Sequence, residues 1–149
     1  MAVNSGAQFP ELVAAQWQLE TGGTSGQGPT ANNNIFAQKG TDFDSDTQEY
    51  SNGGLVSAPN EGWRAYDSPQ AATDWMVSNW YKDTDQHGAG VESAGGGTLP
   101  GAANQLVTQG YATDPEYANK RMRRLAERGY SSLQSKACTK RRCSGEQSR

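Results

Sequence analysis

Long apolar runs are missing from this chain. None approaches the roughly 20 residues that a membrane-crossing helix needs. Residues 1–6 carry neither a basic stretch nor the apolar core of a secretory signal, so no such signal is expected. Cysteine and histidine are almost as scarce. The two cysteines, Cys138 and Cys143, lie close to the C-terminus, and the single histidine, His87, is far from them in sequence. A zinc site would need two further ligands beside that pair. The spacing leaves both a disulfide and two free thiols open. No Ser/His/Asp or Cys/His set and no phosphate-cradling loop can be read, so no metal or cofactor is expected.

Basic residues are rare until late in the chain. Residues 1–119 hold 3 Lys/Arg against 14 Asp/Glu, a charge of −11, while residues 120–149 hold 10 against 2, a charge of +8. An acidic body with a basic end suggests that the end meets a polyanion, such as nucleic acid, a wall polymer or anionic lipid. A solvated tail without a partner is the plainer alternative.

The 149 residues suit one domain, and with 34% apolar residues its core should be modest. Residues 1–129 are read as that domain and 130–149 as a flexible tail. Residues 8–20 predict a helix: Phe9, Leu12, Val13, Gln16, Trp17 and Glu20 recur at spacings of three and four. A polar loop with three asparagines, Asn32 to Asn34, follows. Residues 47–66 predict a β-hairpin turning at Asn52-Gly53. Ser68-Pro69 opens a second helix, with Ala72, Trp75, Met76, Asn79 and Trp80 as its buried stripe. Residues 83–100 read as a glycine-rich loop, about 101–109 as a short helix, and Asp114-Pro115 as the start of another. Helices flanking one hairpin predict an α+β domain, with a mainly helical lobe and a small antiparallel lobe meeting at a cleft.

Two carboxylates stand out. Glu20 ends the first helix, one turn beyond Gln16 and Trp17. A carboxyl held against an indole loses solvation, which favours its protonated form and suits it to general-acid chemistry. Glu49, on the proposed hairpin, is the second, as a base for water or a stabiliser of positive charge. On spacing alone both are more commonly solvated surface residues. Asp42, Asp44 and Asp46 are rivals in the same lobe. Tyr66, Tyr111 and Tyr117 can stack on sugar rings, as can Trp63 and Trp80, although these two read better as core.

Three blocks in order resemble the glucosaminidase family of peptidoglycan hydrolases, glycoside hydrolase family 73. The first is Leu12-Val13-Ala14-Ala15-Gln16-Trp17-Gln18-Leu19-Glu20-Thr21-Gly22, followed by Asn33-Asn34-Ile35-Phe36-Ala37-Gln38-Lys39. The second is Gln48-Glu49-Tyr50-Ser51-Asn52-Gly53, then Trp63-Arg64-Ala65-Tyr66-Asp67-Ser68. The third runs from Gly110-Tyr111 through Asp114-Pro115 to Tyr117-Ala118-Asn119-Lys120. The resemblance implies a lysozyme-like fold and cleavage of the β-1,4 bond between N-acetylglucosamine and N-acetylmuramic acid in peptidoglycan glycan strands. It places the general acid on Glu20, a second, less uniformly placed carboxylate on Glu49, and cleft tyrosines on Tyr111 and Tyr117; Tyr66 and Asn34 stand beside them as candidate substrate contacts. With no secretory signal expected, such an activity fits a phage product, either virion-associated or a lysin, acting on the cell wall from the periplasm or exterior, with DNA, wall polymer or other virion proteins as partners for the basic end. Lytic transglycosylase chemistry, which runs on one acid–base glutamate, and a non-catalytic wall-binding or structural virion component are the alternatives. The chain departs from the family pattern at Gly23, where an aromatic is usual, and at Ala37-Gln38, where the family has an apolar Gly-Ile pair.

Overall fold

Pro10 fits the first turn of a helix, where its missing N–H is no loss. The first helix, α1, runs over Pro10–Thr21 and ends at Gly22, whose φ of +63° is a left-handed cap. The computed structural model describes residues 1–22, 26–51, 53–84, 88–112 and 114–127, without the side chains of Glu49 and Tyr50. Gly23, His87, Cys138, Cys143 and the proposed tail therefore lie outside the described residues, as does the domain boundary expected at 129.

After α1 come a single 3-10 turn at Gly28–Thr30, strands β1 (Lys39–Ser51) and β2 (Gly54–Trp63), and helix α2 (Pro69–Met76). Helices α3 (Val91–Ala94), α4 (Leu99–Thr108) and α5 (Tyr117–Glu127) complete the order. The architecture is α+β, as expected. Among the described residues no helix is long and apolar enough to cross a membrane.

The strands pair antiparallel, with Ser51 opposite Gly54 and Glu49 opposite Val56. Gly53 supplies the positive φ, +83°, that the two-residue turn needs. The hairpin starts eight residues earlier than its sequence signals, because Lys39–Asp46 is polar and acidic with weak strand character. Local hydrogen bonds support that part: Asp42 Oδ2 accepts from Ala65 N at 2.9 Å and Asp46 Oδ1 from Asn60 N at 3.0 Å. Register shifts between Lys39 and Phe43 and between Ser45 and Thr47 bend it.

Ser68 caps α2 through Ala71 N at 3.1 Å, and Thr98 caps α4 through Gly101 N at 3.2 Å. Asp114 Oδ1 accepts from Glu116 N at 2.9 Å just before α5. The stripe expected on α2 is only partly right. Ala72 and Met76 are buried, but beyond them a π-helical turn, Val77–Tyr81, widens the helix. The extra residue per turn brings Val77 and Tyr81 inward, while Trp75, Asn79 and Trp80 stay part-exposed. The stretch 83–100 also holds more structure than a loop. There Gly95 and Gly101 let α3 and α4 touch backbone to backbone: a Cβ on Gly101 would sit 2.0 Å from Gly95 O.

The core joins Leu12, Val13, Ala15, Ile35, Phe36, Met76, Leu106 and Leu125 with the other buried apolar residues of the helical lobe. One buried acid serves the scaffold. Phe9 cannot cap α1 with its own side chain, and Glu92 Oε1 on α3 takes the role, accepting from Gln8 N at 2.7 Å and Phe9 N at 3.2 Å. Glu92→Ala should lower stability by about 2 kcal/mol, the scale of charge-assisted bonds to backbone donors. Urea unfolding should show a lower midpoint with an unchanged slope.

Candidate active site

The end of α1 brings Glu20 beside the start of α5. Tyr117 lies on the first turn of α5 and is 6% exposed. Its phenol donates to Glu20 Oε1 at 2.5 Å. Tyr111, in the connection before α5, sits against it at 6.0 Å between ring centroids, and Trp80 meets Tyr111 edge-on at 5.1 Å. Glu20 is thus a largely buried carboxyl in an aromatic setting. Burial raises its pKa above the usual carboxylate range, opposed by the Tyr117 hydrogen bond and by the positive charge of Arg121. Burial also pushes the phenols of Tyr111 and Tyr117 well above their ordinary range, so both remain donors.

Tyr66 forms a second group. Its hydroxyl donates to Gln38 Oε1, and its ring lies 6.4 Å from Trp75. Arg64 covers the other ring contact, with its guanidinium 4.4 Å from the Trp75 centroid. The two groups meet on one loop: Tyr111 donates to Phe36 O at 2.6 Å, while Tyr66 N donates to Asn32 O at 2.9 Å. Gln38, one of the departures noted above, is the polar hub of that loop. It is 3% exposed, and its amide nitrogen also points at Met76 Sδ at 3.2 Å.

Asn34 does not reach a ligand surface. It is fully buried, its Nδ2 donates to Gln38 O and its Oδ1 accepts from Gln38 N, both at 2.9 Å. Its amide closes the loop. Glu49 occupies β1 near the hairpin turn, and its side chain lies outside the described residues. Trp63 is buried as expected, under Lys39 at 4.2 Å. Among the described residues no His, Cys, Asp or Glu cluster could hold a metal ion. Neither Glu20 nor any of the three tyrosines lines the apolar cavity of about 330 Å³ beside the N-terminal segment, which is walled by Val3, Val13, Trp17 and Phe36.

Sequence reasoning missed Arg121. It points inward from α5 with no exposed surface, and its Nη2 donates to Leu12 O and to Tyr81 Oη. Its neighbours Lys120, Arg123 and Arg124 are exposed or part of surface ion pairs, so the basic run hid it. The four-residue spacing from Tyr117 and to Leu125, both inward, was the usable signal.

Comparison with known proteins settles the family. Residues 3–129 match the glucosaminidase family, described as mannosyl-glycoprotein endo-β-N-acetylglucosaminidase. The chain belongs to that family. Its fold is similar to a peptidoglycan hydrolase, in mutant form, from Sphingomonas sp. A1, with 27% identity, 83% of this chain and 85% of the other covered, and a TM-score of 0.61. The glycoside hydrolase domain of FlgJ from Salmonella typhimurium aligns at 25% identity over 79% and 82%, with a TM-score of 0.52. The catalytic domain of the autolysin Auto from Listeria monocytogenes shares the fold, at 24% identity over 80% and 71%, with a TM-score of 0.52. No curated protein matches the chain. The lysozyme-like α+β fold expected from the sequence is thereby established.

Because the folded state raises the pKa of Glu20, it holds that proton more tightly than the unfolded chain does. Stability therefore falls as pH rises through the carboxylate range towards the folded-state pKa. Glu20→Gln removes this penalty and keeps an acceptor for Tyr117. The variant should melt higher than wild type at neutral pH, and the gap should close below about pH 4, where both states of the wild type are protonated.

Proposed function

We propose that this glucosaminidase-family domain cleaves peptidoglycan, hydrolysing the β-1,4 bond between N-acetylglucosamine and N-acetylmuramic acid, with Glu20 as general acid. The observation that carries the reading is the buried carboxyl of Glu20 with one oxygen taken by the Tyr117 phenol. Burial raises the pKa of Glu20 and so favours its protonated form, and the Tyr117 bond leaves Oε2 as the atom to hold the transferable proton. That proton goes to the glycosidic oxygen as the bond to the anomeric carbon breaks, leaving an oxocarbenium-like centre. Water then adds to that carbon and loses its proton to a carboxylate. Glu49 is our candidate for stabilising the positive charge or activating the water. The part-exposed rings of Tyr66 and Tyr111 offer faces for pyranose stacking. The likeness to a peptidoglycan hydrolase from Sphingomonas and a glycoside hydrolase domain from Salmonella supports the same substrate class.

Purified peptidoglycan should lose turbidity with wild type. Folded Glu20→Gln should be slower by about 10²–10⁴-fold, the usual worth of a general acid. Mass spectrometry of the products should show reducing N-acetylglucosamine ends. A 1,6-anhydro-muramic end would instead assign a lytic transglycosylase, and glycan binding without turnover in wild type would assign a binding module.

The proposal extends to delivery by a phage, as a virion-associated enzyme or lysin working at the cell wall. Residues 130–149 hold 5 Lys/Arg against 1 Asp/Glu, a charge of +4, which supports it, since Lys/Arg clusters hold phosphates without sequence preference. Deleting residues 130–149 should weaken binding to DNA or wall polymer and flatten its salt dependence. Unchanged binding would remove the tail from this account.

A further inference from the structure

Arg121 is an unusual residue to bury. It has no exposed surface, and among the described residues no carboxylate lies within ion-pair distance of it. Its Nη2 is held by Leu12 O, by Tyr81 Oη at 2.6 Å and by Gln16 Oε1 at 3.4 Å, while Nε and Nη1 have no partner. A buried cation without an anion costs stability, and packing alone would be better served by an aliphatic side chain. The guanidinium lies 5.6 Å from the Tyr117 ring, on the ring whose hydroxyl holds Glu20.

We propose that Arg121 is a positioning residue for the reaction, whose fixed charge acts across the Tyr117 ring to stabilise the Glu20 carboxylate left once its proton has passed to the glycosidic oxygen. This rests on the function proposed above. The neutral acid gains nothing from the cation, whereas the anion formed during bond cleavage does, so the stabilisation falls on the charged stage of the step. The positive charge pulls against the burial that otherwise favours protonated Glu20. The other titratable groups around the pair are Tyr111 and Tyr117, beside both, and Tyr81, on the far side of Arg121; Glu92 on α3 interacts with Tyr81. The three phenols remain neutral across the working range, which leaves Arg121 as the cation that acts on Glu20.

The test compares Arg121→Met and Arg121→Lys with wild type. Titration of ¹³Cδ-labelled Glu20 by NMR should move to higher pH in Arg121→Met and stay near wild type in Arg121→Lys. The alkaline limb of kcat on peptidoglycan should follow the same displacement. At the plateau kcat should fall by about tenfold, or about 1.4 kcal/mol, with KM little changed. A folded Arg121→Met with an unmoved midpoint and limb would overturn the proposal and leave Arg121 a structural residue. If Arg121→Met does not fold, wild type decides alone: the Arg121 guanidinium resonances should titrate with the Glu20 midpoint and stop doing so in Glu20→Gln. Resonances indifferent to Glu20 would also overturn it. Neither NMR titration needs substrate, so a wild type inert towards peptidoglycan would sink the proposed function and leave the coupling separately decided.

Discussion

The loop from Asn32 to Gln38 is the constraint on which the rest of the molecule depends. The Asn34 amide grips both the N–H and the carbonyl of Gln38, which closes the loop on itself. Onto that closed loop converge the end of β2, through Arg64 N to Gln38 O at 3.0 Å, and the next turn, through Tyr66 N to Asn32 O and Asn33 Nδ2 to Tyr66 O at 2.8 Å. Tyr111 docks on Phe36 O from the opposite end of the sequence. Asn32 and Asn33 take positive φ values of 51° and 59°, which asparagine tolerates better than most residues. A chain with few apolar residues thus fixes its lobes by polar closure around a small core, and the tyrosines inherit their positions from it.

Features set by near neighbours were readable in the sequence. The i, i+3, i+4 pattern of α1 located the buried Leu12, Val13 and Gln16, Ser68-Pro69 located the start of α2, and Asn52-Gly53 located the hairpin turn. Glu20 was singled out at the end of α1, but its aromatic partner is Tyr117 of α5 rather than the expected Trp17 one turn away. What escaped depends on residues far apart. Glu92 caps a helix 83 residues earlier in the chain. Asn34 reads as a polar loop residue until its burial is known, and Arg121 reads as one more charge in a basic run until α5 is docked on α1. The first half of β1 was missed because Lys39–Asp46 carries one apolar side chain, Phe43, and so no alternation to detect; backbone pairing with Glu61–Trp63 and side-chain bonds from Asp42 and Asp46 hold it.

The candidate site inverts the usual relation between burial and charge. Asp83 and Asp114 lie near the surface, and side-chain bonds from Ser93 and Lys120, with smaller help from backbone donors, hold their pKa values down. Glu20 instead has its pKa raised, because burial outweighs the opposing Tyr117 hydrogen bond and the charge of Arg121. A single helix end therefore separates one acid from the population of ordinary ones, by solvation more than by any special sequence around it.

The π-helical turn at Val77–Tyr81 has a consequence for how the chain tolerates change in length. It holds one residue more per turn than the α-helix it continues, and that surplus aims Tyr81 at Gln16, at 2.8 Å, and at Arg121. Losing one residue here would let the segment rewind as ordinary α-helix and swing Tyr81 by roughly 100° about the axis. The guanidinium would then be stranded without its phenolic acceptor, although no hydrophobic side chain had been altered. Homologues that differ by one residue in this turn should therefore differ at position 121 as well, with the indel and the cation inherited together.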